Sequence, residues 1–483
     1  MEYVDVVIVG AGLSGIGAAR HLQERCPGRS YLIVEARDAI GGTWDLFRYP
    51  GIRSDSDMFT LGYGFKPWRG RKAVADGASI KRYIEETADE AGIREKIRFG
   101  HRLVAADWSS EAAQWVLQLE RTHGGERVQL ACNFLLPCSG YYSYERGYTP
   151  ELPGRERFGG QIVHPQDWPE DLDYAGKRVI VIGSGATAVT LIPNLAKQAA
   201  HVTMLQRSPT YVVSRPQEDR LANLLRKWAG DETAYRFTRW KNSTLQSFMY
   251  RHARKNPDAA RKRLLEMLSK ELPEDVIREH FTPSYNPWEQ RLCLVPDSDL
   301  FAAIREGKAS VVTDHIETFT EKGILLKSGR ELEADLIVTA TGLELIVLGG
   351  AKFSIDGERV DFAETWSYRG MMASGVPNML WTFGYINASW TLRADLVAEF
   401  ACRILNHMAE VGARVCVPKL RPGEQDMPRR SWLEGFNPGY IERVQHLFPK
   451  QGDREPWLNS QNYRRDKRTF REVPIDDGVL SFS

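Results

Sequence analysis

The sequence predicts an α/β protein built from two units in which parallel strands alternate with helices. A buried strand, a glycine-rich turn and a helix occupy residues 5–23, and the same series recurs at residues 178–197. Such strand–turn–helix series are typical of parallel sheets that are covered by helices on both faces. Because 483 residues are too many for one ordinary core, we expect two or three domains.

The first unit begins with an apolar run at residues 5–9, which is typical of a strand buried on both faces. Gly10-Ala11-Gly12-Leu13-Ser14-Gly15 follows it and leads into a helix. In this spacing the first glycine permits a tight turn, the second admits a pyrophosphate and the third lets the helix pack closely. The second strand, Tyr31–Val34, ends at Glu35, whose carboxylate can hold ribose hydroxyls. This order favours a dinucleotide site over a plain turn between strand and helix.

The second unit repeats this pattern at Gly183-Ser184-Gly185-Ala186-Thr187-Ala188, with alanine in the third place. Its second strand, at residues 201–205, is followed by Gln206-Arg207-Ser208, without an acidic residue. A carboxylate would repel a 2′-phosphate, whereas Arg207 can pair with it and Ser208 can donate a hydrogen bond. The unit is therefore predicted to bind NADPH rather than NADH. The alternative is that Arg207 is an ordinary surface arginine.

A basic stretch interrupts the second unit. Residues 215–272 look helical and contain 14 Lys/Arg against 7 Asp/Glu. The simpler interpretation is a solvated helical insert. The more specific alternatives are that this stretch covers the cofactor cleft or makes a weak contact with a membrane surface.

Composition excludes several classes of function. The net charge of +1 gives no reason to expect a nucleic acid as partner. Six scattered cysteines favour a reduced, cytoplasmic compartment, and the ten histidines have no ligand-type spacing, so we expect no metal. No apolar run approaches 18 residues, which argues against a transmembrane helix.

Two further stretches carry a family resemblance. One is Phe158-Gly159-Gly160-Gln161-Ile162-Val163-His164-Pro165-Gln166-Asp167-Trp168-Pro169-Glu170, between the two turns. The other is Gly41-Gly42-Thr43-Trp44-Asp45-Leu46-Phe47-Arg48-Tyr49-Pro50-Gly51-Ile52-Arg53-Ser54-Asp55. Together with the turns they resemble the type I flavin-dependent Baeyer–Villiger monooxygenases, most of all the short mycobacterial members. Trp168 stands where the related heteroatom-oxidising monooxygenases usually carry tyrosine.

The resemblance implies two dinucleotide-binding, Rossmann-like domains with a helical insert. We expect residues 1–146 to form the first part of an FAD-binding domain and residues 147–342 an NADPH-binding domain. The insert is expected at about residues 213–285, and residues 343–483 should return to the first domain.

The same resemblance implies site residues position by position. Those expected at FAD are Gly10, Gly12, Ser14, Gly15, Glu35, Thr43, Trp44, Asp45, Leu46, Asp55 and Leu103. Those expected at NADPH are Gly183, Ser184, Gly185, Ala186, Thr187, Ala188, Arg207 and Ser208, with Arg53, Ser54 and Asp55 near the nicotinamide.

The catalytic residues implied are Arg291, as the active-site arginine, and Asp55, which could hold such an arginine in place. A permanently charged guanidinium would stabilise negative charge that develops during oxygen transfer. The alternatives are a loop arginine in a surface ion pair and a turn aspartate. His164 is expected to work by hydrogen bonding in the link between the domains.

The reaction implied is the insertion of one atom of O2 next to a ketone carbonyl, which gives an ester or lactone. The nearest alternative is oxygenation of a sulfide, thioamide or amine, since Asn387-Ala388-Ser389-Trp390-Thr391-Leu392 is typical of that neighbouring group. A disulfide reductase on the same fold would need a close cysteine pair after the first unit, and Cys132 and Cys138 do not lie there. A non-catalytic nucleotide-binding regulator would not need Arg53, Asp55 and Arg291 together.

Overall fold

The computed structural model of the chain describes residues 1–290 and 292–483. The strands, in chain order, are β1 (Glu2–Val9), β2 (Tyr31–Val34), β3 (Ile97–Arg98), β4 (His101–Ser109), β5 (Gln114–Arg121), β6 (Arg127–Pro137), β7 (Tyr142–Gly147), β8 (Gln161–Val163), β9 (Arg178–Ile182), β10 (His201–Gln206), β11 (Val212–Arg215), β12 (Cys293–Pro296), β13 (Ala309–Thr313), β14 (Ile316–Phe319), β15 (Gly323–Leu326), β16 (Glu331–Glu333), β17 (Leu336–Thr339), β18 (Leu343–Leu345), β19 (Lys352–Ile355), β20 (Glu358–Arg359), β21 (Ser367–Tyr368), β22 (Met372–Ala373), β23 (Cys416–Pro418) and β24 (Leu480–Phe482).

The helices are α1 (Leu13–Arg25), α2 (Thr43–Leu46), α3 (Met58–Leu61), α4 (Gly77–Glu90), α5 (Ala186–Leu195), α6 (Arg220–Lys255), α7 (Pro257–Leu268), α8 (Glu274–His280), α9 (Asp299–Arg305), α10 (Trp390–Val411), α11 (Gly439–Glu442) and α12 (Tyr463–Glu472). None of the helices in the described part of the chain combines the length and apolarity that a membrane crossing requires.

Two sheets carry the two predicted units. The first has eight strands in the order β20-β19-β4-β5-β6-β1-β2-β3, with β1 parallel to both β2 and β6. The second has five strands in the order β13-β10-β9-β17-β8, and all its pairings are parallel. The predicted α/β class with two strand–turn–helix units is confirmed.

The first core lies between the first sheet and the two long helices α1 and α10. Ile8 and Phe134 on the sheet and Ile16 and Leu396 on these helices are at most 1% exposed. After residue 343 the chain adds β19 to the first sheet, parallel to β4, so sequence-distant segments share one unit.

Two strands form a ribbon where the chain passes between the units. β7 ends at Gly147, and β18 begins at Leu343 and pairs with it antiparallel. β6 ends at Pro137, before the start of this ribbon, and Gly140 then adopts a positive φ of 70°. The domain limits at residues 146/147 and 342/343 fall on this ribbon and stay a prediction.

The predicted helical insert forms α6, α7 and α8. α6 is interrupted at Gly230, whose φ of 77° and ψ of 165° are not helical, so it consists of two arms. Arg239 in the second arm is largely buried, with 13% of its side chain exposed, and donates to the carbonyl oxygens of Phe59 (3.0 Å) and Gly62 (2.6 Å). These bonds fix the insert to the first unit.

Asp395 on α10 completes this anchor. Its carboxylate lies 3.2 Å from Arg239 Nη2 and 3.2 Å from His21 Nε2, and it accepts a 2.8 Å bond from the N–H of Gly64. Burial alone would raise the pKa of Asp395, but the His21 hydrogen bond and the neighbouring cations lower it below the ordinary value. One buried carboxylate therefore joins α1, α6, α10 and the loop after α3.

Replacing Asp395 by alanine should lower the free energy of unfolding by about 3–5 kcal/mol, because Arg239 would stay buried without its counter-charge. Urea unfolding of the flavin-loaded protein, followed by circular dichroism, measures this change. Asp89→Ala is the matched control, since Asp89 pairs with Arg94 at 2.5 Å on the surface and should cost less than about 1 kcal/mol. Equal losses for both variants would contradict the anchoring role.

Candidate functional site

The helices α1 and α5 begin without a side-chain cap. Their N-cap residues are Gly12 and Gly185, and neither has a side chain that could bond the first-turn N–H groups. By contrast, Asp76, Asp219 and Asn462 cap α4, α6 and α12 with side-chain oxygens. Because uncapped N–H groups at a helix N-terminus bind anions, these two helices leave donors for phosphate groups.

Glycine is required where each turn crosses its own sheet. Gly10 has a φ of 104°, and a Cβ there would lie 2.8 Å from the carbonyl oxygen of Cys138. A Cβ at Gly15 would overlap the carbonyl oxygen of Gly10. Gly183 has a φ of 133°, and a Cβ there would overlap the carbonyl oxygen of Ala340. Each turn thus holds a helix N-terminus directly over the end of its strand.

The carboxylate of Glu35 is hydrogen-bonded to the backbone of the first turn. One of its carboxylate oxygens accepts from the N–H of Ala11 at 2.7 Å, and the other accepts from the N–H of Arg37 at 2.8 Å. Burial raises the pKa of Glu35, while these two hydrogen bonds oppose the shift. Each oxygen keeps a second lone pair that can accept from a ribose hydroxyl, so the geometry fits the predicted role.

The segment that includes α2 lies on the first turn. A Cβ at Gly42 would stand 3.0 Å from Cα of Gly12, so Thr43 and Trp44 begin next to the glycine turn. Asp45 is 3% exposed, and its carboxylate accepts from Arg37 (Nη2, 2.5 Å) and from Lys81 (2.7 Å). Its partners are therefore cations of the protein, which fix α2 against α4.

The remaining residues expected at FAD lie apart from this contact. Leu103 is buried in β4, beside an irregularity in its pairing with β5. Leu46 packs against the core of the second unit. As contacts of the cofactor, both residues stay predictions.

Residues 53–55 lie at the boundary of the two units. Arg53 Nη1 pairs with Asp299 Oδ2 at 2.5 Å, and Asp299 is the first residue of α9 in the second unit. The hydroxyl of Ser54 is buried and accepts from the N–H of Ser56 at 2.9 Å. Asp55 is exposed on the same segment. The predicted active-site arginine, Arg291, lies outside the described residues, so its role and that of Asp55 stay predictions.

An exposed arginine and an exposed serine lie near the second glycine turn. Arg207 and Ser208 follow β10 directly and are exposed beside the start of α5. Ser184 Oγ lies 2.8 Å from Thr210 Oγ1, and Thr187 on α5 neighbours the phenol of Tyr49, which is buried in the core of the second unit. Burial raises the pKa of Tyr49 to about 12, which keeps this phenol neutral. The arrangement fits the predicted 2′-phosphate site, and Ala186 and the fully buried Ala188 belong to the helix that supports it.

His164 bonds to the ribbon between the units. Its Nδ1 accepts from the N–H of Gln166 at 3.1 Å, so the proton lies on Nε2, which donates to the carbonyl of Gly342 at 3.1 Å. Burial lowers the pKa of His164, which favours this neutral form. A Cβ at Gly147 would overlap the imidazole ring, so β7 passes directly over it.

One neighbour of the first turn was not predicted as a site residue, although it belongs to the stretch at residues 387–392 named above. Trp390, the first residue of α10, donates from Nε1 to Ser14 Oγ at 2.7 Å and stacks on Tyr141 with ring centroids 5.1 Å apart. Its position at the start of a long apolar helix was a usable signal. Its distance of 376 residues from Ser14 concealed the contact.

Among the described residues no group of three or more His, Cys, Asp or Glu side chains could hold a metal ion. Donors in the site are backbone N–H groups, hydroxyls and guanidinium groups. This donor set suits phosphates and ribose.

Known proteins share these features. The model of the flavin-binding monooxygenase-like family matches residues 74–347, and that of an NAD(P)-binding Rossmann-like domain matches residues 8–72. The first of these covers more than half of the chain. The chain belongs to the flavin-binding monooxygenase-like family. It is therefore an enzyme of the flavin-dependent monooxygenase type, and the family resemblance read from its motifs is confirmed.

Curated relatives of this monooxygenase match over its whole length. The FAD-containing monooxygenase EthA of Mycobacterium tuberculosis is 55% identical over 100% of this chain and 98% of the relative. The probable FAD-binding monooxygenase AlmA of Acinetobacter baylyi is 48% identical over 100% of this chain and 96% of the relative.

Solved structures share the fold. A steroid monooxygenase bound to NADP has a TM-score of 0.79 at 23% identity, with 99% of both chains covered. A cyclohexanone monooxygenase has a TM-score of 0.77 at 19% identity, with 100% of both chains covered. The cofactors predicted for the monooxygenase, FAD and NADPH, agree with the family and with these neighbours.

Replacing Glu35 by glutamine should weaken FAD binding about tenfold or more. Two N–H donors face the carboxylate, and an amide has one oxygen to accept from them, so one donor would lose its partner. Fluorescence titration of the flavin-free protein with FAD gives the affinity. Glu2→Gln, which changes an exposed glutamate on β1, is the control. Unchanged FAD affinity in the Glu35 variant would remove Glu35 from the cofactor site.

Proposed function

We propose that this monooxygenase uses FAD and NADPH to insert one oxygen atom from O2 next to a ketone carbonyl, giving an ester or lactone. When bound, FAD supplies the redox chemistry, since it takes a hydride from NADPH and activates oxygen. The observation that carries the cofactor assignment is the pair of glycine-capped helices, α1 and α5, each held over the end of a parallel strand. The segment at residues 158–170 with Trp168 supports the Baeyer–Villiger reaction in particular.

The residues of the first unit would bind and orient the flavin. Gly10, Gly12 and Gly15 admit the pyrophosphate, and Glu35 accepts from the ribose. Thr43 and Trp44 stand beside the turn and would line the ring system. Asp45 is neutralised by its ion pairs with Arg37 and Lys81. It would therefore hold α2 in place beside the flavin and would not bring a negative charge to it.

The residues of the second unit would bind NADPH and orient its nicotinamide. Arg207 and Ser208 are placed for the 2′-phosphate, and the first turn of α5 for the pyrophosphate. Arg53 is fixed by its ion pair with Asp299 at the boundary between the units, so it would orient the segment at residues 53–55 that is proposed to lie near the nicotinamide. Arg291 and Asp55 are proposed to stabilise the negative charge of the oxygen-transfer step and to position the stabilising group, respectively.

Oxygenation of a sulfide, thioamide or amine is the second candidate. The stretch at residues 387–392, which is typical of heteroatom oxygenases, lies at the first turn, where Trp390 bonds Ser14. The substrate in either case is a small molecule. The six cysteines are buried and none is joined in a disulfide in the described part of the chain, in keeping with a proposed cytoplasmic location.

Product analysis by mass spectrometry tests the proposal. The purified yellow protein receives O2, NADPH and one compound that contains both a methyl ketone and a thioether. Ester is expected, and Arg291→Ala should abolish ester formation while anaerobic flavin reduction by NADPH continues. Sulfoxide as the only product would make heteroatom oxygenation the function. Ester formation by Arg291→Ala at the wild-type rate would remove Arg291 from the mechanism.

A further inference from the structure

The outer side of α6 is unusually apolar for a solvent-facing helix. Eight of the thirteen large apolar side chains that are exposed in the described residues belong to this helix. They are Leu221, Leu224, Trp228, Phe237, Trp240, Leu245, Phe248 and Met249. Trp228 is 84% exposed, Trp240 61% and Phe248 59%. Aromatic side chains of this size are rarely left in water in such numbers without a binding role.

These side chains form a stripe on each arm of α6. Leu221, Leu224 and Trp228 are spaced by three and four residues in the first arm. Phe237, Trp240 and Phe248 follow the same helical period in the second arm, and the rings of Phe237 and Trp240 lie 5.9 Å apart. The buried residues Ala222, Ala234, Tyr235, Thr238, Ser243 and Ala253 face the protein instead.

The same helix is strongly basic. α6 contains nine Lys/Arg and two Asp/Glu. Three of the cations are occupied: Arg226 by backbone carbonyls of residues 68–70, Arg239 by Asp395, and Lys241 by Asp219. The other six are exposed, and none of them forms an ion pair with a described residue; they are Arg220, Lys227, Arg236, Arg251, Arg254 and Lys255.

A second helix continues this positive surface. Arg464 on α12 is exposed and donates to Thr244 Oγ1 at 3.1 Å, on the outer side of α6. Arg464 thus brings an exposed cation of the C-terminal region next to the aromatic stripe. The combined surface therefore consists of exposed aromatic and aliphatic side chains that are surrounded by exposed Lys and Arg side chains.

We propose that the outer face of α6, with Arg464, is a docking surface for a bilayer that contains anionic lipids. Exposed Trp and Phe side chains suit the boundary between headgroups and acyl chains, and unpaired Lys and Arg suit anionic headgroups. The aliphatic members of the stripe, such as Leu221 and Met249, would have no partner on a nucleic acid. A second copy that docked by the same face would bring six unpaired cations against six others, which disfavours a symmetric dimer there.

The helix that carries the docking surface also packs, on its inner side, against the segment that follows Asp55. Asn242 and Gln246, on the inner side of α6, donate to the carboxylate of Asp57 at 2.9 and 3.1 Å. Asp57 caps α3, two residues beyond Asp55. The docked enzyme would therefore hold α3 and its cap Asp57 on the opposite side of the helix that faces the lipid. The docking itself does not depend on which oxygenation the enzyme performs.

Co-sedimentation of the FAD-loaded enzyme with vesicles tests the proposal. Vesicles of phosphatidylcholine are compared with vesicles of equal parts phosphatidylcholine and phosphatidylglycerol, at low and at high salt. Binding to the anionic vesicles should be at least tenfold tighter and should fall as salt rises, because surface charges are screened within about 10 Å at 0.1 M salt. Absence of binding to the anionic vesicles at low salt would overturn the proposal.

Two sets of variants separate the apolar and charged contributions. A triple variant, Trp228→Ser, Trp240→Ser and Phe248→Ser, should bind at least tenfold more weakly than the wild type. Its control replaces exposed apolar residues elsewhere, Tyr3→Ser, Val411→Ser and Leu447→Ser, and should bind like the wild type. A charge variant, Arg251→Glu and Lys255→Glu, should lose about fivefold or more per residue, against Lys322→Glu and Lys327→Glu as control.

Flavin absorbance and the thermal midpoint verify that each variant is folded. The proposal fails if both the triple variant and the charge variant of folded enzyme bind anionic vesicles like the wild type. It also fails if the wild type does not bind vesicles but self-associates in sedimentation velocity, while the triple variant remains a monomer. That result would assign the face to contact between copies of this chain.

Discussion

The structure depends on how closely two helix N-termini approach the ends of two parallel strands. A Cβ at Gly15 would overlap the carbonyl oxygen of Gly10, and a Cβ at Gly183 would overlap that of Ala340. Any side chain there would lift the helix from its sheet and move its free N–H groups away from the turn. Glycine also occupies the N-cap positions, Gly12 and Gly185, so neither helix has a side-chain cap on its first N–H groups. The close approach and the missing caps together leave backbone donors at both turns.

Around this constraint the chain is held together by contacts between distant segments. Trp390 reaches Ser14 in the first turn, and Asp395, one and a half turns further along α10, binds His21 and Arg239. Arg53 and Asp299 join the two units, and His164 bonds the ribbon through Gly342. The inner side of α6 is therefore part of the first unit's packing, while its outer side remains open to a partner.

The local features of the fold could be predicted from the sequence, since each depends on neighbouring residues. β2, β9 and the turns that follow β1 and β9 were predictable because apolar runs and glycine spacing are short-range signals. The break of α6 at Gly230 was not predicted, since an isolated glycine in a helical pattern is often tolerated. The neutralisation of Asp45 by Lys81, 36 residues away, was equally hidden, because ion pairs between separate elements leave no periodic signal.

In the candidate site, too, the features that depend on neighbouring residues were predictable and those that depend on distant segments were not. Glu35 could be located from its distance to the glycine turn, whereas the bond from Trp390 to Ser14 depends on the return of the chain after residue 343. The roles of Arg291 and Asp55 come from the family resemblance alone. The geometry therefore supports the binding of two nucleotides more directly than it supports the choice between ester and sulfoxide.

Anaerobic reduction of the bound flavin, followed by the loss of its visible absorbance after rapid mixing, tests the two-nucleotide account most directly. NADPH should reduce the flavin at much lower concentration than NADH does. Arg207→Ala should raise the NADPH concentration required about tenfold or more and leave NADH unchanged, with Arg330→Ala as the surface control. Equal use of NADH and NADPH by the wild type, or an unchanged preference in Arg207→Ala, would contradict the assignment of the second site.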